Sequence, residues 1–468
     1  MSHQSIPGHP LFLTDPEVRL AYSEDATGLV AIPDAVARPS SEEEIVEIVR
    51  HCREHGIGVT AQGLRSSMVG GPLAFGGVAL SCERLARLID VDLDRRVAIV
   101  EPGMNTGEFK RALAGTGLFY PPDPTSENEC TIGGNVATNA SGACTYRYGA
   151  TRPYVRSLRV VLGDGRATEV TRSSATKNTV GYFGFQDPID LFIGSEGTLG
   201  ILSRVTLDLL PAPLGFFSGM AFFRTDSEAL QFVVAADHAR RAGSLDPRCL
   251  EFFDENSLGI IRPEAGRLTI PRDARSAIFF EQECDPDSAE AGFEAWYAFL
   301  ESNGALADDT IIAAKEEGQL ELRKLRHALP ETMNERGQKA RAAGGLKVST
   351  DWCVPLEAMP RTIEDATRIL RDGFDGFYIR YGHIGNGHPH FNLLAEDPRA
   401  LAQAREVTHR MALLAVERGG TVTAEHGIGK VKREYVGYQY PDWVVEGMRA
   451  VKRVLDPDGI LAPGNIFE

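Results

Sequence analysis

PPDPTSENECTIGGNVATNASG, residues 121–142, places proline, glycine, asparagine, serine or threonine at most of its positions. No helical or strand periodicity is legible from here to about residue 149. So long an irregular segment in a compact chain usually forms a functional surface. It offers backbone N–H groups and short hydroxyl or amide side chains. Such groups bind pyrophosphate oxygens without needing many cations. Gly133, Gly134 and Gly142 let the backbone approach a ligand closely. Two further segments repeat the chemistry: Gln62-Gly63-Leu64-Arg65-Ser66-Ser67 and IGSEGTLGI at 193–201. Each loop alone reads as ordinary surface, but the three together point to a dinucleotide phosphate. Neither a GxGxxG turn after a strand nor a Walker loop is present.

Around these loops the chain reads as mixed α and β. Ser41 and Glu44 have capping-box spacing; Ile45, Ile48, Val49 and Cys52 share one helical face, and Gly56 can end that helix. Val97–Val100 reads as a strand, with a helix from about Thr106 to Ala114. VRSLRVVLGDGRATEV reads as a hairpin turning at Asp164-Gly165. Residues 191–210 read as strand, glycine turn, strand. PAPLG at 211–215 is a plausible boundary. The expected division is therefore a first domain over 1–212, a cap domain with a mainly antiparallel sheet over 213–430, and a tail over 431–468 that returns to the first domain. The fold class is α+β.

The 468 residues carry a net charge of −16, which disfavours sequence-independent nucleic-acid binding and repels small acids unless a local cationic site intervenes. No apolar run is long enough for a membrane span, and MSHQSIPGHPLFLTDPEVR lacks the pattern of a signal peptide. The seven cysteines show no CxxC pair, so a zinc ribbon or iron–sulfur cluster of the usual spacing is not expected. A cytoplasmic location fits best, and attachment to the inner face of a membrane is compatible with it.

A second constellation lies in YIRYGHIGNGHPHFNLL, residues 378–394. It reads as two strands around Gly385–His388. A four-residue turn would pair His383 with His390 and place both imidazoles on one sheet face with Tyr381 and Asn392. Two such histidines can share a divalent metal, and Glu425 in TAEHGIGK supplies a third ligand. His426 would lie beside it. Zinc is the first expectation, with manganese or iron as alternatives. A lone histidine on a strand is more often structural; three within eight residues, plus Glu-His, shift the balance.

Residues 121–149 and LFIGSEGTLGIL resemble the FAD-binding domain of the vanillyl-alcohol oxidase superfamily, the domain also called PCMH-type. The nearest branch is that of the FAD-linked 2-hydroxyacid dehydrogenases: D-lactate dehydrogenase, the glycolate oxidase flavin subunit and D-2-hydroxyglutarate dehydrogenase. The resemblance runs from about Ile32 to Phe467. It implies that Gln62, Gly63, Leu64, Arg65, Ser66 and Ser67 form the pyrophosphate loop. It also implies that Asp123, Thr131, Ile132, Gly134, Thr138, Asn139, Ser141 and Gly142 line FAD, and that Glu196, Gly197 and Ile201 contact its adenine or ribose end. The family usually has glycines where Leu64 and Arg65 stand. No histidine lies between residues 56 and 237, and Cys130 reads as a small buried side chain, so the FAD is expected to be non-covalent.

GHIGNGHPHFN and EHGIGK resemble the family's metal-binding and base motifs, which implies that His383, His390 and Glu425 hold the metal and that His426 is the catalytic base. Asn386 stands for the family's usual aspartate and His388 for its usual asparagine; His388 is expected to be a solvated turn residue. ELRKLRHALPE, a helix expected to end near Pro330, and LKVSTDWCVP resemble the segments whose Arg and Lys bind a substrate carboxylate. The matches fall on Arg326 and Lys347, and Asn392 is the further substrate-binding candidate. Asn465 replaces a lysine in the family's tail motif.

The implied reaction is oxidation of a D-2-hydroxy acid to the 2-oxo acid, with hydride passing to flavin. The alternatives are a non-redox flavoenzyme resembling alkyl-dihydroxyacetone-phosphate synthase, a non-catalytic flavoprotein subunit, and a zinc hydrolase without flavin. Electrons would leave to oxygen, a quinone, a cytochrome or an electron-transfer flavoprotein. A homodimer is compatible with this reading.

Overall fold

The computed structural model describes residues 6–467 except 286 and 288; the first five residues of the N-terminal segment read above lie outside it. The chain forms two compact units. One comprises residues 1–142, 149–212 and 425–468, the other 143–148 and 213–424.

The first unit holds two main sheets. In the four-stranded sheet the order is Phe12–Leu13, Ala35–Ala37, Val78–Ser81, Val59–Gln62, and the last two pairings are parallel. The helix Glu42–Glu54 begins at Ser41, whose hydroxyl accepts the Glu44 N–H at 3.3 Å, and it buries Ile45, Ile48, Val49 and Cys52 as its spacing requires. Five antiparallel strands form the other sheet, in the order Leu88–Asp92, Val97–Val100, Ile201–Asp208, Val155–Val161, Ala167–Thr171. The hairpin at Gly165 is as expected. The tail joins this unit: the Val59 N–H donates to Ile460 O and the Ala462 N–H to Val59 O, each at 2.7 Å.

Three local expectations change here. Residues 121–149 contain the helices Ile132–Thr138 and Thr145–Tyr148. The first carries two glycines and no periodic apolar face; the Thr131 cap and tight packing stabilise it instead. Residues 191–194 are not a strand, because a 3₁₀ turn over Pro188–Leu191 leads directly into the glycine turn. The third change is the expected boundary at 430, which falls at 424. Glu196 accepts the Ile428 and Gly429 N–H groups and so ties that loop to the first unit.

Residues 143–148 belong to the second unit, where the Tyr146 hydroxyl donates to Asp237 at 2.9 Å. That unit is built on seven antiparallel strands, in the order Ile311–Ala313, Phe216–Phe223, Ser276–Glu283, Pro247–Phe253, Phe377–Gly382, His390–Ala395, Leu346–Ser349. One sheet face packs Phe217, Phe252, Phe280 and Phe391 against the helices Asp226–Arg241, Ala289–Ser302, Met359–Gly373 and Pro398–Glu417. The other packs Met220, Phe222, Phe253 and Ile379 against the helix Glu316–Arg341. This helix does not end near Pro330. It continues for eleven residues because Leu322, Leu325, Leu329, Met333 and Ala340 form one unbroken buried stripe. That burial outweighs the roughly 3 kcal/mol a proline costs inside a helix.

Candidate functional site

In the first unit the three loops converge. The turn at 194–197 docks on the short helix, with the Gly194 N–H on Val136 O at 2.9 Å and the Glu196 N–H on Ala137 O at 2.8 Å. Thr131 caps that helix through the Gly134 N–H at 3.1 Å. A Cβ built on Gly63 would lie 2.5 Å from Thr131 Oγ1, so the 62–67 loop and the 121–142 loop touch only because residue 63 has no side chain. Gly142 is equally confined: a Cβ there would lie 2.0 Å from Asp123 O. Asn139, left-handed at φ 50°, ends the helix and accepts the Arg152 N–H at 2.9 Å; Thr138 Oγ1 donates to Gly134 O. Ile132 and Ile201 are fully buried supports, and Ser141 is buried.

Gln62 is buried, and its amide nitrogen donates to Pro72 O and Tyr22 O. Its Oε1 is buried without a hydrogen-bond partner among the described residues. A buried orphan acceptor beside a loop rich in small and polar residues suits a bound polar ligand. These features fit the FAD that the sequence implies. Arg65 adopts φ 61° and lies over the Tyr22 ring at 4.9 Å. Leu64 is 46% exposed, so neither replacement has closed the loop into the core. Cys130 is buried with Sγ on Thr106 Oγ1 at 3.3 Å, and burial raises its thiol pKa; it is an inert core side chain.

Glu196 has a structural partner that its motif did not announce. Both its oxygens accept backbone N–H groups of the loop after His426: Ile428 at 2.7 Å and Gly429 at 2.6 Å. Gly197, at φ 74°, completes the turn beside it. Asn465 binds Gly71 O and Glu196 O at 2.9 and 3.0 Å and accepts from Lys430, so the replacement of the family's lysine keeps the tail on this loop cluster.

In the second unit the hairpin register differs from the expected one. Tyr381 pairs with His390 and Ile379 with Asn392, while His383 lies beyond the strand end. The cause is a longer turn, with a 3₁₀ turn over Ile384–Asn386 followed by left-handed Gly387. The slip is two residues, an even number, so the side-chain parity survives. Tyr381, His390 and Asn392 share one face, and the Asn392 amide donates to Tyr381 Oη at 3.1 Å. The rings of His383 and His390 lie 5.3 Å apart.

The same face carries Glu251, which the sequence did not single out. It is 1% exposed. One carboxylate oxygen lies 2.6 Å from His383 Nδ1 and the other 2.9 Å from Arg326 Nε. Burial alone would raise its pKa, but His383 and Arg326 together hold it down to about 2. A carboxylate on Nδ1 selects the tautomer whose Nε2 bears the lone pair. Arg326 is itself buried and comes from the long helix. Lys347 lies on the edge strand, its ammonium bonded to Asn334; burial lowers it to about 8. Ser349 Oγ donates to Asn392 Oδ1 at 2.5 Å.

His388 is not a solvated turn residue. It is 2% exposed, its ring 4.5 Å from that of His390, with Nε2 3.5 Å from Asp351 Oδ1. Asp351 also accepts from Thr423 Oγ1, and its carbonyl accepts the Ala424 N–H at 2.7 Å. Those bonds fix the chain immediately before Glu425. His383, His390 and Glu425 each offer one ligand atom, and these atoms lie within 4.8 Å of one another. Two imidazoles and a carboxylate at that spacing fit a divalent transition metal.

Among the described residues no helix is long and apolar enough to cross a membrane. Comparison with known proteins matches residues 33–171 to the family described as FAD binding domain and residues 218–466 to that described as FAD linked oxidases, C-terminal domain. The chain is 32% identical to the glycolate oxidase subunit GlcD of Bacillus subtilis, over 96% of this chain and 92% of that protein. It is 31% identical to a D-2-hydroxyglutarate dehydrogenase of Xanthomonas citri, over 93% of this chain and 89% of that one. Among solved structures it resembles 4-ethylphenol oxidase from Gulosibacter chungangensis, with a TM-score of 0.73, 18% identity, and coverage of 97% and 93%. At that identity the likeness is one of fold.

Proposed function

The chain belongs to the FAD-linked oxidases, and from that premise we propose that it oxidises a D-2-hydroxy acid to the 2-oxo acid. The carrying observation is the face of the second unit's sheet on which Glu251, Arg326, Lys347, His390 and Asn392 gather with His383 beside them. It combines cations for a carboxylate with imidazoles for a metal. FAD, when bound, would supply the two-electron acceptor, and a divalent metal held by His383, His390 and Glu425 would supply Lewis acidity at the substrate hydroxyl.

The chain's own residues would do the rest. Arg326 and Lys347 bind the carboxylate, the guanidinium through paired N–H donors and the ammonium as a point charge. Lys347 supplies a local positive charge against the repulsion expected from a net charge of −16, while Arg326, its charge balanced by Glu251, contributes hydrogen bonds. Asn392, positioned by Ser349 and Tyr381, orients the substrate. His426 accepts the hydroxyl proton, a task suited to imidazole near neutral pH. Glu196 anchors the loop that follows His426 and so limits the motion of the base.

The experiment is anaerobic mixing of the purified, metal-analysed protein with D- and L-2-hydroxy acids, followed by flavin absorbance. One enantiomer series should bleach the flavin. Chelation and His426→Ala should each abolish the bleaching. A yellow protein that no hydroxy acid bleaches would end the proposal.

A further inference from the structure

The helix Asp442–Leu455 packs inward through Val445, which is buried, and through Lys452, whose ammonium donates to Thr198 O and Leu461 O at 2.8 Å. Its opposite face is bare. Trp443, Gly447, Ala450 and Val454 follow one another at intervals of four, three and four residues, so they form a single stripe. Trp443 is 76% exposed and Val454 75%; Gly447 and Ala450 are exposed too, and a Cβ built on Gly447 meets nothing within 4 Å.

Isolated exposed apolar residues are normal. This stripe differs because its order, bulky–small–small–bulky, is symmetric about its own midpoint. An antiparallel copy of the same helix would set Trp443 against Val454 and Gly447 against Ala450. The small pair lets the backbones approach while the two bulky residues fill the ends. The charges beside the stripe obey the same symmetry. Glu446 and Arg453 both flank it on one side, and in an antiparallel pair residues of the same flank meet. Glu446 of each copy then faces Arg453 of the other, twice over. Arg453 is exposed and makes no ion pair among the described residues; Glu446 pairs only with Arg449 of its own helix, at 2.7 Å.

We propose that this helix is a two-fold dimerisation surface whose partner is a second copy of the chain, paired antiparallel through Trp443, Gly447, Ala450 and Val454. Fourteen residues span about 21 Å. A contact of that length is below the standard interface size, so the dimer is expected to be concentration-dependent.

The test is sedimentation equilibrium of the full flavin-loaded chain over about two decades of concentration. The wild type should dimerise, and Trp443→Arg should sediment as a monomer. Glu446→Arg and Arg453→Glu should each weaken dimerisation by about tenfold or more, while the double exchange recovers it, because the pairing is between unlike positions. Thermal melting and flavin content establish that each variant is folded. A wild type that stays monomeric overturns the proposal. So does a dimer indifferent to Trp443→Arg, or a double exchange no better than the single ones.

Discussion

Glu251 Oε1 lies 2.6 Å from His383 Nδ1, with both residues buried. The same carboxylate bonds Arg326, so one acidic group orients an imidazole on one side and neutralises a guanidinium on the other. The proposed metal ligand and the proposed carboxylate-binding residue therefore share a support.

Glu251→Gln tests that support. The amide keeps one acceptor but turns an NH₂ toward a neighbour that also donates, and it leaves the Arg326 charge uncompensated. Metal affinity should fall about 10–100-fold, and stability by about 3–5 kcal/mol, the usual cost of removing one partner from a buried pair. Competition with a metal buffer and urea unfolding measure the two separately. A loss of stability with metal affinity intact would restrict Glu251 to a structural role. The native carboxylate titrates near pH 2 instead of 4.5, so its stabilising contribution is complete above about pH 4.5 and is lost as the pH falls toward 2.

If Lys347 binds the substrate carboxylate as proposed, activity and stability should move oppositely with pH. Its folded pKa is about 8 and its ordinary value 10.5. Above about pH 8 the free enzyme loses that charge, and kcat/KM should fall by about tenfold per pH unit. Between 8 and 10.5 the unfolded chain binds more protons at this residue, so Lys347's contribution to stability becomes more favourable over the same interval. In Lys347→Arg the fall in kcat/KM should move to higher pH. An unchanged basic limb would separate Lys347 from substrate binding.

Glu196→Gln addresses the loop after His426. A carboxylate accepts both the Ile428 and Gly429 N–H groups; an amide can accept only one and confronts the other with its own donor. The expected destabilisation is about 1–3 kcal/mol, with slower substrate-driven flavin reduction. Melting indistinguishable from wild type would show that this loop is held by other contacts.

Arg65 holds a left-handed backbone, φ 61°, that favours glycine. Arg65→Ala loses the contact with Tyr22 and keeps the strain; Arg65→Gly loses the contact and relieves the strain. The glycine variant should exceed the alanine variant by about 1 kcal/mol. Denaturant unfolding of the pair gives the difference directly, and an alanine variant of equal or greater stability would contradict a strained loop.

Much of this site is legible before any fold is known. The paired histidines, Glu425, the phosphate-type loops and the capped helix Glu42–Glu54 lie in short stretches whose residue types and spacing carry their chemistry. Parity also survives: Tyr381, His390 and Asn392 share a face although the turn between the strands is longer than four residues. The burial of His388 is not legible, because a turn rich in glycine reads as solvent-facing until Asp351 and the neighbouring imidazoles enclose it. Nor is the passage of a helix through Pro330. Local preference argues for a stop there, and only the sheet face that receives Leu329 and Met333 outweighs it.

The amino-acid sequence by itself singled out candidate groups for a pyrophosphate, a metal and a carboxylate, since residue type and local period are properties of neighbouring positions. Only the tertiary structure decided which acids hold those groups in place. Glu251 meets His383 across 132 residues of chain and Glu196 meets Ile428 across 232. No local period reaches so far. Such partners are chosen by strand order and by the requirement that a buried charge find an opposite charge or an N–H group, because leaving it unpaired costs more than the fold can spare.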